Sequence, residues 1–314
     1  VQLLRDLDAD GEAGLKTADE SKLLIIAQKT GGFPRALEAV AALLKTRMTL
    51  DRLLRDPSLL TGKVNALIEE AIRRLDPDAL RVMEALAVYG QPLSEDGLVY
   101  LLAPYLDTKA LPGILDRLVS GYFVSFNKAT EAYALHPIDQ AFCLARVPSP
   151  PTPFSHGVGE GESSTSTDSP LPPAGEGPGV RAFTRRALLV CAADYHRSRR
   201  APQEKWKTLA DLDPQLLEIE YRIQAGEYDT AAEVLTDIDS DYLLLWGYAA
   251  RVIELHEQLQ GHITDSDLTG NSLGNLGQAY YSVGRVQDAI RCFKETLVIA
   301  RRDHKHQHEG AALG

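Results

Sequence analysis

The chain has 314 residues, of which 44% are hydrophobic and 25% are charged, the composition of a globular protein long enough for two or three domains. Its formal net charge of −11 argues against broad attraction to nucleic acid or to an anionic membrane. Three scattered cysteines form neither a disulfide framework nor a metal-ligand spacing, and the sequence contains no apolar run long enough to predict a membrane span. We therefore expect a cytoplasmic protein.

Residues 1–56 are predicted to form helices interrupted by one sharp break. The break is the segment Thr30-Gly31-Gly32-Phe33-Pro34. Proline is favoured in the first turn of a helix, so a helix is expected to begin at Pro34. The apolar face before the break holds Leu23, Leu24 and Ala27, and the face after it holds Ala36, Leu37, Val40, Ala41 and Leu44. From spacing alone this is a helix–turn–helix corner.

Residues 57–147 are predicted to form a small domain of helices that ends in a β-hairpin. Asp76-Pro77 and Ser94 are typical helix N-terminal signals. The alternating segments 122–126 and 132–135 then favour two strands around a turn. Three helices followed by a hairpin is the order of a winged helix.

Residues 148–182 differ in composition from the rest of the chain. They are rich in Gly, Ser and Thr and hold 8 of the 17 prolines. Such a segment buries too little apolar surface to offset its ordering entropy, so it is predicted to be a disordered linker or insertion.

The remaining residues are predicted to be pairs of antiparallel helices. Residues 183–268 read as degenerate helical repeats, and residues 269–314 as one regular repeat with the truncated start of another. The regular pair resembles the tetratricopeptide repeat in its spacing of Leu273, Leu276, Gly277, Tyr280, Ala289 and Phe293. Because such a unit needs neighbours on both sides, we expect the chain to be part of a longer protein that binds a protein partner through these repeats.

No catalytic constellation is found in the sequence. It lacks a phosphate loop, a Rossmann glycine motif, a zinc-protease motif and a nucleophile elbow. His304, His306 and His308 alternate near the C-terminus, but no carboxylate or cysteine framework accompanies them, so no metal site is assigned. The chain is therefore not expected to be an enzyme and is expected to hold no cofactor by itself.

His136 is the one polar residue in an unusual position. It lies between the second predicted strand and a helix that is expected to begin at Pro137. The first-turn N–H groups of a helix favour anions, so an imidazole there is suited to contact a phosphate. The alternative is a structural histidine that bonds to a nearby carbonyl.

Together, these parts resemble the signalling ATPases of the STAND class and its NB-ARC group, in bacterial form. The segment from Thr30 to Leu37 is similar to the glycine-any-proline motif of that group. His136 is similar to its sensor histidine, although only the His of the Met-His-Asp motif is present in Leu135-His136-Pro137. The resemblance implies a mainly α fold: a helical domain and a winged helix with a small β-hairpin, followed by a tetratricopeptide-like α-solenoid.

The resemblance further implies that Pro34 and His136 face a nucleotide in the complete protein. ADP or ATP with Mg²⁺ would be bound there by an N-terminal ATPase core. Nucleotide exchange would then permit oligomerisation and release an N-terminal effector. This chain would then be the regulatory and sensor arm that holds the resting state. Two other interpretations stay open: a tetratricopeptide scaffold without nucleotide sensing, and a winged-helix transcription regulator whose recognition helix is 108–120.

Overall fold

The computed structural model describes residues 1–45, 48–55, 64–148 and 182–302, in two compact units, Val1–Arg185 and Arg186–Gly314. Residues 149–181, the main part of the predicted linker, lie outside these ranges, as do the three alternating histidines. The finer division predicted from sequence, at 1–56, 57–147, 148–182, 183–268 and 269–314, remains a prediction.

The first unit begins with four helices, the third of which is strongly apolar and largely buried. They are α1 (Gln2–Asp6), α2 (Glu20–Lys29), α3 (Pro34–Lys45) and α4 (Leu50–Arg55). The five apolar positions predicted for α3 are all buried. In α2 the prediction is partly wrong, because Leu24 is exposed and Ile26 is buried instead. The helix is rotated so that Leu23 and Ile26, three residues apart, share the buried face.

The next helices begin at the signals read from the sequence. They are α5 (Val64–Arg73), α6 (Pro77–Tyr89), α7 (Glu95–Leu102) and α8 (Leu111–Ser120), with a 3₁₀ turn at Thr108–Ala110. Asp76 caps α6 by accepting a hydrogen bond from the Ala79 N–H at 2.9 Å, and Ser94 caps α7 by accepting one from the Gly97 N–H at 3.3 Å. Each cap satisfies a backbone donor that the helix itself cannot pair.

The first unit also contains a three-stranded antiparallel sheet, two of whose strands follow α8. The predicted hairpin is present as β2 (Val124–Asn127) and β3 (Ala132–Leu135), with Val124 opposite Leu135. A third strand, β1 (Leu93–Ser94), pairs with β3, so that the strand order is β1-β3-β2. The sequence did not predict β1, since two residues are too few to show alternation.

Helix α9 (Pro137–Arg146) completes the first unit and packs against α6. Gln140 donates to the Ala87 carbonyl at 3.3 Å, and Arg146 forms an ion pair with Glu84 at 3.4 Å. The start of α9 lies directly after β3, so the sheet fixes where this helix begins.

The second unit consists of helices that pair with their neighbours in sequence. They are α10 (Arg185–Ser198), α11 (Asp213–Ala225), α12 (Tyr228–Thr236), α13 (Ala249–Leu259), α14 (Ser266–Ser282) and α15 (Val286–Arg302), with 3₁₀ turns at Gln203–Lys205 and Leu209–Leu212 and a π-helix at Asp239–Leu244. Helices α11 to α15 share one core of buried leucine, isoleucine, valine and alanine side chains. The fold is therefore mainly α, with a small sheet in the first unit and a tetratricopeptide-like α-solenoid in the second.

Candidate functional site

The break between α2 and α3 is a glycine elbow that presents Phe33 and Pro34 at the surface. Gly31 and Gly32 both adopt left-handed backbone angles, with φ of 64° and 69°. Two consecutive residues of this kind are accessible to glycine at little cost, which explains why the sequence has Gly-Gly here. Phe33 is 61% exposed. The predicted site residue Pro34 is the first residue of α3, as expected.

His136 is the N-cap residue of α9 and is exposed to solvent. Its ring Nδ1 accepts a hydrogen bond from the Ile138 N–H at 3.3 Å. The imidazole is therefore not only beside the first-turn N–H groups, as predicted, but pairs one of them itself. Because Nδ1 is the acceptor, the neutral ring carries its proton on Nε2. That arrangement leaves Nε2 as a hydrogen-bond donor that is suited to an anion.

An ion pair between Arg35 and Asp139 connects the residue after Pro34 to the first turn of α9. Arg35 Nη2 donates to Asp139 Oδ2 across 104 residues of sequence. The Asp139 side chain is 0% exposed and that of Arg35 is 11% exposed. Burial raises the pKa of Asp139, whereas the charge of Arg35 acts in the opposite direction. Both predicted nucleotide-facing residues thus lie within three positions of one buried contact.

Tyr122 joins the N-terminal helices to the sheet at a second point. Its backbone is left-handed, with φ of 61°, which is unusual for an aromatic residue and is held here by several contacts. Its hydroxyl donates to the Leu7 carbonyl at 2.8 Å, and its own carbonyl accepts from Arg35 Nη1 at 2.8 Å. Lys45 Nζ lies 5.4 Å from the ring centroid. Arg35 is thus bonded to Tyr122 as well as to Asp139.

A cleft of about 730 Å³ lies near the opposite end of α3. Its charged lining residues include Lys45, Arg74 and Arg117. They are balanced by acidic neighbours, since Lys45 pairs with Asp10, Arg74 with Glu70 and Arg117 with Asp76. The cleft includes neither Pro34 nor His136, so we do not place the candidate site in it.

Sequence reasoning missed Arg35, Tyr122 and Asp139. Arg35 and Asp139 are next to or near the two predicted residues, but a lone arginine and a first-turn aspartate are most often solvated. The pattern Pro137-Ile138-Asp139 therefore gave no signal that the carboxyl group was buried. Only the pairing of two helix starts that are far apart in sequence reveals the contact.

The predicted repeat residues come together in the hairpin of α14 and α15. Leu276 and Ala289 are 0% and 1% exposed, Leu273 and Tyr280 are also buried, and Phe293 is partly buried. A Cβ atom on Gly277 would lie 2.7 Å from the Phe293 ring, which is closer than real Cβ contacts. The two helices therefore approach closely because position 277 has no side chain. The Tyr280 hydroxyl donates to Glu257 Oε1 of α13 at 2.6 Å, which ties this hairpin to the preceding helix.

A buried polar cluster of the second unit resembles a hydrolase triad but cannot act as one. His256 Nε2 donates to Asp239 Oδ2 at 2.9 Å, and Ser272 Oγ lies 2.8 Å from Nδ1. In serine hydrolases the serine faces Nε2 and the aspartate faces Nδ1, the reverse of this order. His256 and Asp239 are 0% exposed and Ser272 is 2% exposed, so no substrate reaches the hydroxyl. We interpret the cluster as structural.

The described residues contain no group of three or more His, Cys, Asp or Glu side chains arranged to hold a metal ion. None of the helices in the described ranges combines the length and the apolar character that crossing a membrane requires.

No protein-family model matches this chain, and no curated protein matches it. Among solved structures, the chain matches a Signal Transduction ATPase with Numerous Domains (STAND) protein with a tetratricopeptide repeat sensor from Pyrococcus horikoshii. The two are 13% identical with a TM-score of 0.43, over 96% of this chain and 42% of that one. The chain thus spans less than half the length of that protein.

Proposed function

We propose that this chain is the regulatory and sensor arm of a STAND-type ATPase, in which the first unit contacts a bound nucleotide and the repeats bind a protein partner. The observation that carries the proposal is the Arg35–Asp139 ion pair. It joins the residue after Pro34 to the first turn of the helix that His136 caps, and both residues resemble nucleotide-contacting positions of the same family. A plain repeat scaffold gives no reason for that pairing.

The side chains at this place fit part of a nucleotide site. An exposed Phe33 beside Pro34 offers an apolar surface, and His136 offers an Nε2 donor at a helix start, where phosphate is favoured. Several further phosphate contacts would be needed for tight binding, and we propose that an N-terminal ATPase core supplies them together with Mg²⁺. On this proposal the chain itself does not hydrolyse ATP, and its residues 57–147 have the role of a winged-helix domain.

The repeats would provide the sensor. The hairpin of α14 and α15 leaves Tyr281, Val286 and Val298 exposed, at 67%, 46% and 67%. Apolar side chains on a solenoid surface are typical of protein-binding repeats. We propose a protein trigger as the partner, a cytoplasmic location, and oligomerisation of the complete protein on activation.

The test compares two substitutions at His136 in the protein in which this chain follows an ATPase core. His136→Asn keeps a good helix N-cap, whereas His136→Ala removes it. Both should weaken ADP retention by about 1.5–3 kcal/mol, the range for a hydrogen bond to a charged group, and only the Ala variant should also lower the melting temperature. Nucleotide content after purification, measured beside a thermal melt, gives both quantities.

Unchanged ADP content in His136→Asn would show that His136 is structural and would leave the scaffold interpretation. In the 314-residue chain alone, we expect ADP to bind no more tightly than about 1 mM, equivalent to roughly −4 kcal/mol, because most phosphate contacts are missing. A nuclear magnetic resonance titration with ADP measures this, and the shifted amides should cluster at the glycine elbow and at His136.

A further inference from the structure

We propose that the Arg35–Asp139 ion pair is a positioning contact that makes the glycine elbow and the start of α9 move as one body, so that His136 and Pro34 keep a fixed separation. The inference rests on the proposed function for its purpose, but the coupling itself is a property of the nucleotide-free chain. The glycine elbow consists of residues Gly31 to Phe33.

The contact is buried, and Arg35 is the one ion-pair partner that the described residues offer to Asp139. Among the described residues, Asp139 Oδ1 accepts no hydrogen bond and Arg35 Nε donates none. The Asp139 side chain is 0% exposed, so water offers little compensation if the guanidinium leaves. A buried charge that loses its partner is strongly destabilised, so the pair should stay closed as long as both helix starts are in place.

The two partners lie close in sequence to the glycine elbow and to the start of α9. Arg35 is the second residue of α3, directly after the elbow, and Asp139 is the third residue of α9, whose N-cap is His136. The planar guanidinium also donates to the Tyr122 carbonyl at 2.8 Å and to Glu38 Oε2 at 3.0 Å. It is therefore anchored to its own helix and to the segment before β2, which leaves it little freedom to follow a displaced Asp139.

A lysine could not replace Arg35 in this role. Three contacts converge on one rigid, planar group, and an ammonium ion on a flexible stem presents its donors without that fixed geometry. Arg35→Lys therefore keeps the positive charge while it removes the multiple, oriented contacts. This substitution separates positioning from simple charge compensation.

The experiment is amide hydrogen exchange of the whole 314-residue chain without nucleotide. The reporters are the Gly32 N–H, bonded to the Ala27 carbonyl at 2.8 Å, and the Gln140 N–H, bonded to the His136 carbonyl at 2.9 Å. Asp139→Asn should speed exchange at both reporters together by about tenfold, the factor that corresponds to 1.4 kcal/mol. Arg35→Lys should speed exchange at both reporters by a similar factor. Asp139→Glu should give slower exchange than Asp139→Asn, because it keeps the carboxylate.

Arg146→Gln is the matched control. It removes an ion pair from the same helix α9, but that pair joins α6 rather than α3. Exchange at Gly32 should therefore stay within twofold of the unaltered chain. If Asp139→Asn does not fold, Arg35→Lys carries the test.

The outcomes separate the two ideas. If Asp139→Asn or Arg35→Lys speeds exchange at Gln140 but not at Gly32, the coupling is overturned. That conclusion holds whatever effect substitutions at His136 have on ADP content. Coupled exchange in a protein whose ADP content is insensitive to His136 would overturn the proposed function and leave the coupling standing. If both hold, Asp139→Asn should lower ADP content in the complete protein as His136→Asn does, and Arg146→Gln should not.

Discussion

The two units hold their helices together over very different distances along the chain. In the first unit, Arg35 and Asp139 are 104 residues apart, and the Tyr122 hydroxyl reaches a carbonyl 115 residues away. In the second unit, His256 bonds to Ser272 over 16 residues and Asn275 to Asp239 over 36. The first unit is closed by contacts between remote segments, whereas the second is assembled from neighbours.

This difference indicates how each unit responds when a single contact is lost. A repeat array is stabilised by each unit and its nearest neighbour, so a local change is felt locally. A unit closed by remote contacts loses the relative placement of its segments when one contact is broken. That property suits a site whose two halves must be held in register, and the first unit is where the candidate site lies.

The largest effect is expected from the buried polar cluster of the second unit. Asp239 accepts hydrogen bonds from His256, from Asn275 at 2.7 Å and from the Ser240 N–H. Asp239→Ala removes the acceptor of the buried His256 and of the half-buried Asn275 and should lower the free energy of unfolding by roughly 3–5 kcal/mol, because each buried donor left unpaired costs about 1–3 kcal/mol. Chemical denaturation of the chain measures it.

Asp241→Ala is the control for this prediction. Asp241 lies in the same π-helix but is exposed, so its loss should change stability by less than about 0.5 kcal/mol. Equal effects of the two substitutions would mean that the cluster around His256 is not what stabilises the second unit.

The close approach of α14 and α15 gives the next effect. Gly277→Ala places a methyl group against the Phe293 ring and should destabilise the chain by about 1–3 kcal/mol, the usual range for overpacking. Gly274→Ala, in the same helix with no atom within 4 Å of its new methyl group, should instead stabilise by up to about 1 kcal/mol. Melting curves that move in the same direction for both would contradict the close-approach explanation.

The hydrogen bond between neighbouring helices at Tyr280 should have a smaller effect. Tyr280→Phe removes its bond to Glu257 and should cost about 1 kcal/mol at neutral pH. Tyr281→Phe, at a side chain that is 67% exposed, serves as the control and should change nothing measurable.

Tyr280 also predicts a pH dependence. Burial, followed by the bond to Glu257, raises the pKa of Tyr280 from 10.0 to about 12. The folded chain therefore holds the phenol proton more tightly than the unfolded chain. This contribution to stability is complete below pH 10 and is lost as pH rises through about 12. Denaturation at pH 9 and pH 11 should show a decline in the unaltered chain that is smaller in Tyr280→Phe.

Much of the fold was readable from the sequence because it depends on local chemistry. Asp76 and Ser94 cap helices, Gly31 and Gly32 make the elbow, and Gly277 marks the close approach of two helices, all as neighbouring residues indicate. The short strand β1 was not readable, because its two residues gain their structure only by pairing with β3. The site was half readable for the same reason: Pro34 and His136 occupy local motifs, whereas the burial of Asp139 depends on a partner 104 residues away.

The smallest effect is expected from replacing residues 149–181, which connect two described parts of the chain. The Arg185 N–H donates to the Pro148 carbonyl at 3.1 Å, so the residues that flank 149–181 already meet. The composition of this segment offers little apolar surface to bury. Replacing it with a Gly-Ser chain of equal length keeps the loop-closure entropy constant and should change the free energy of unfolding by less than about 0.5 kcal/mol. A clear fall in melting temperature after this replacement would show that the segment packs on one of the units, and the comparison between them would then have to include it.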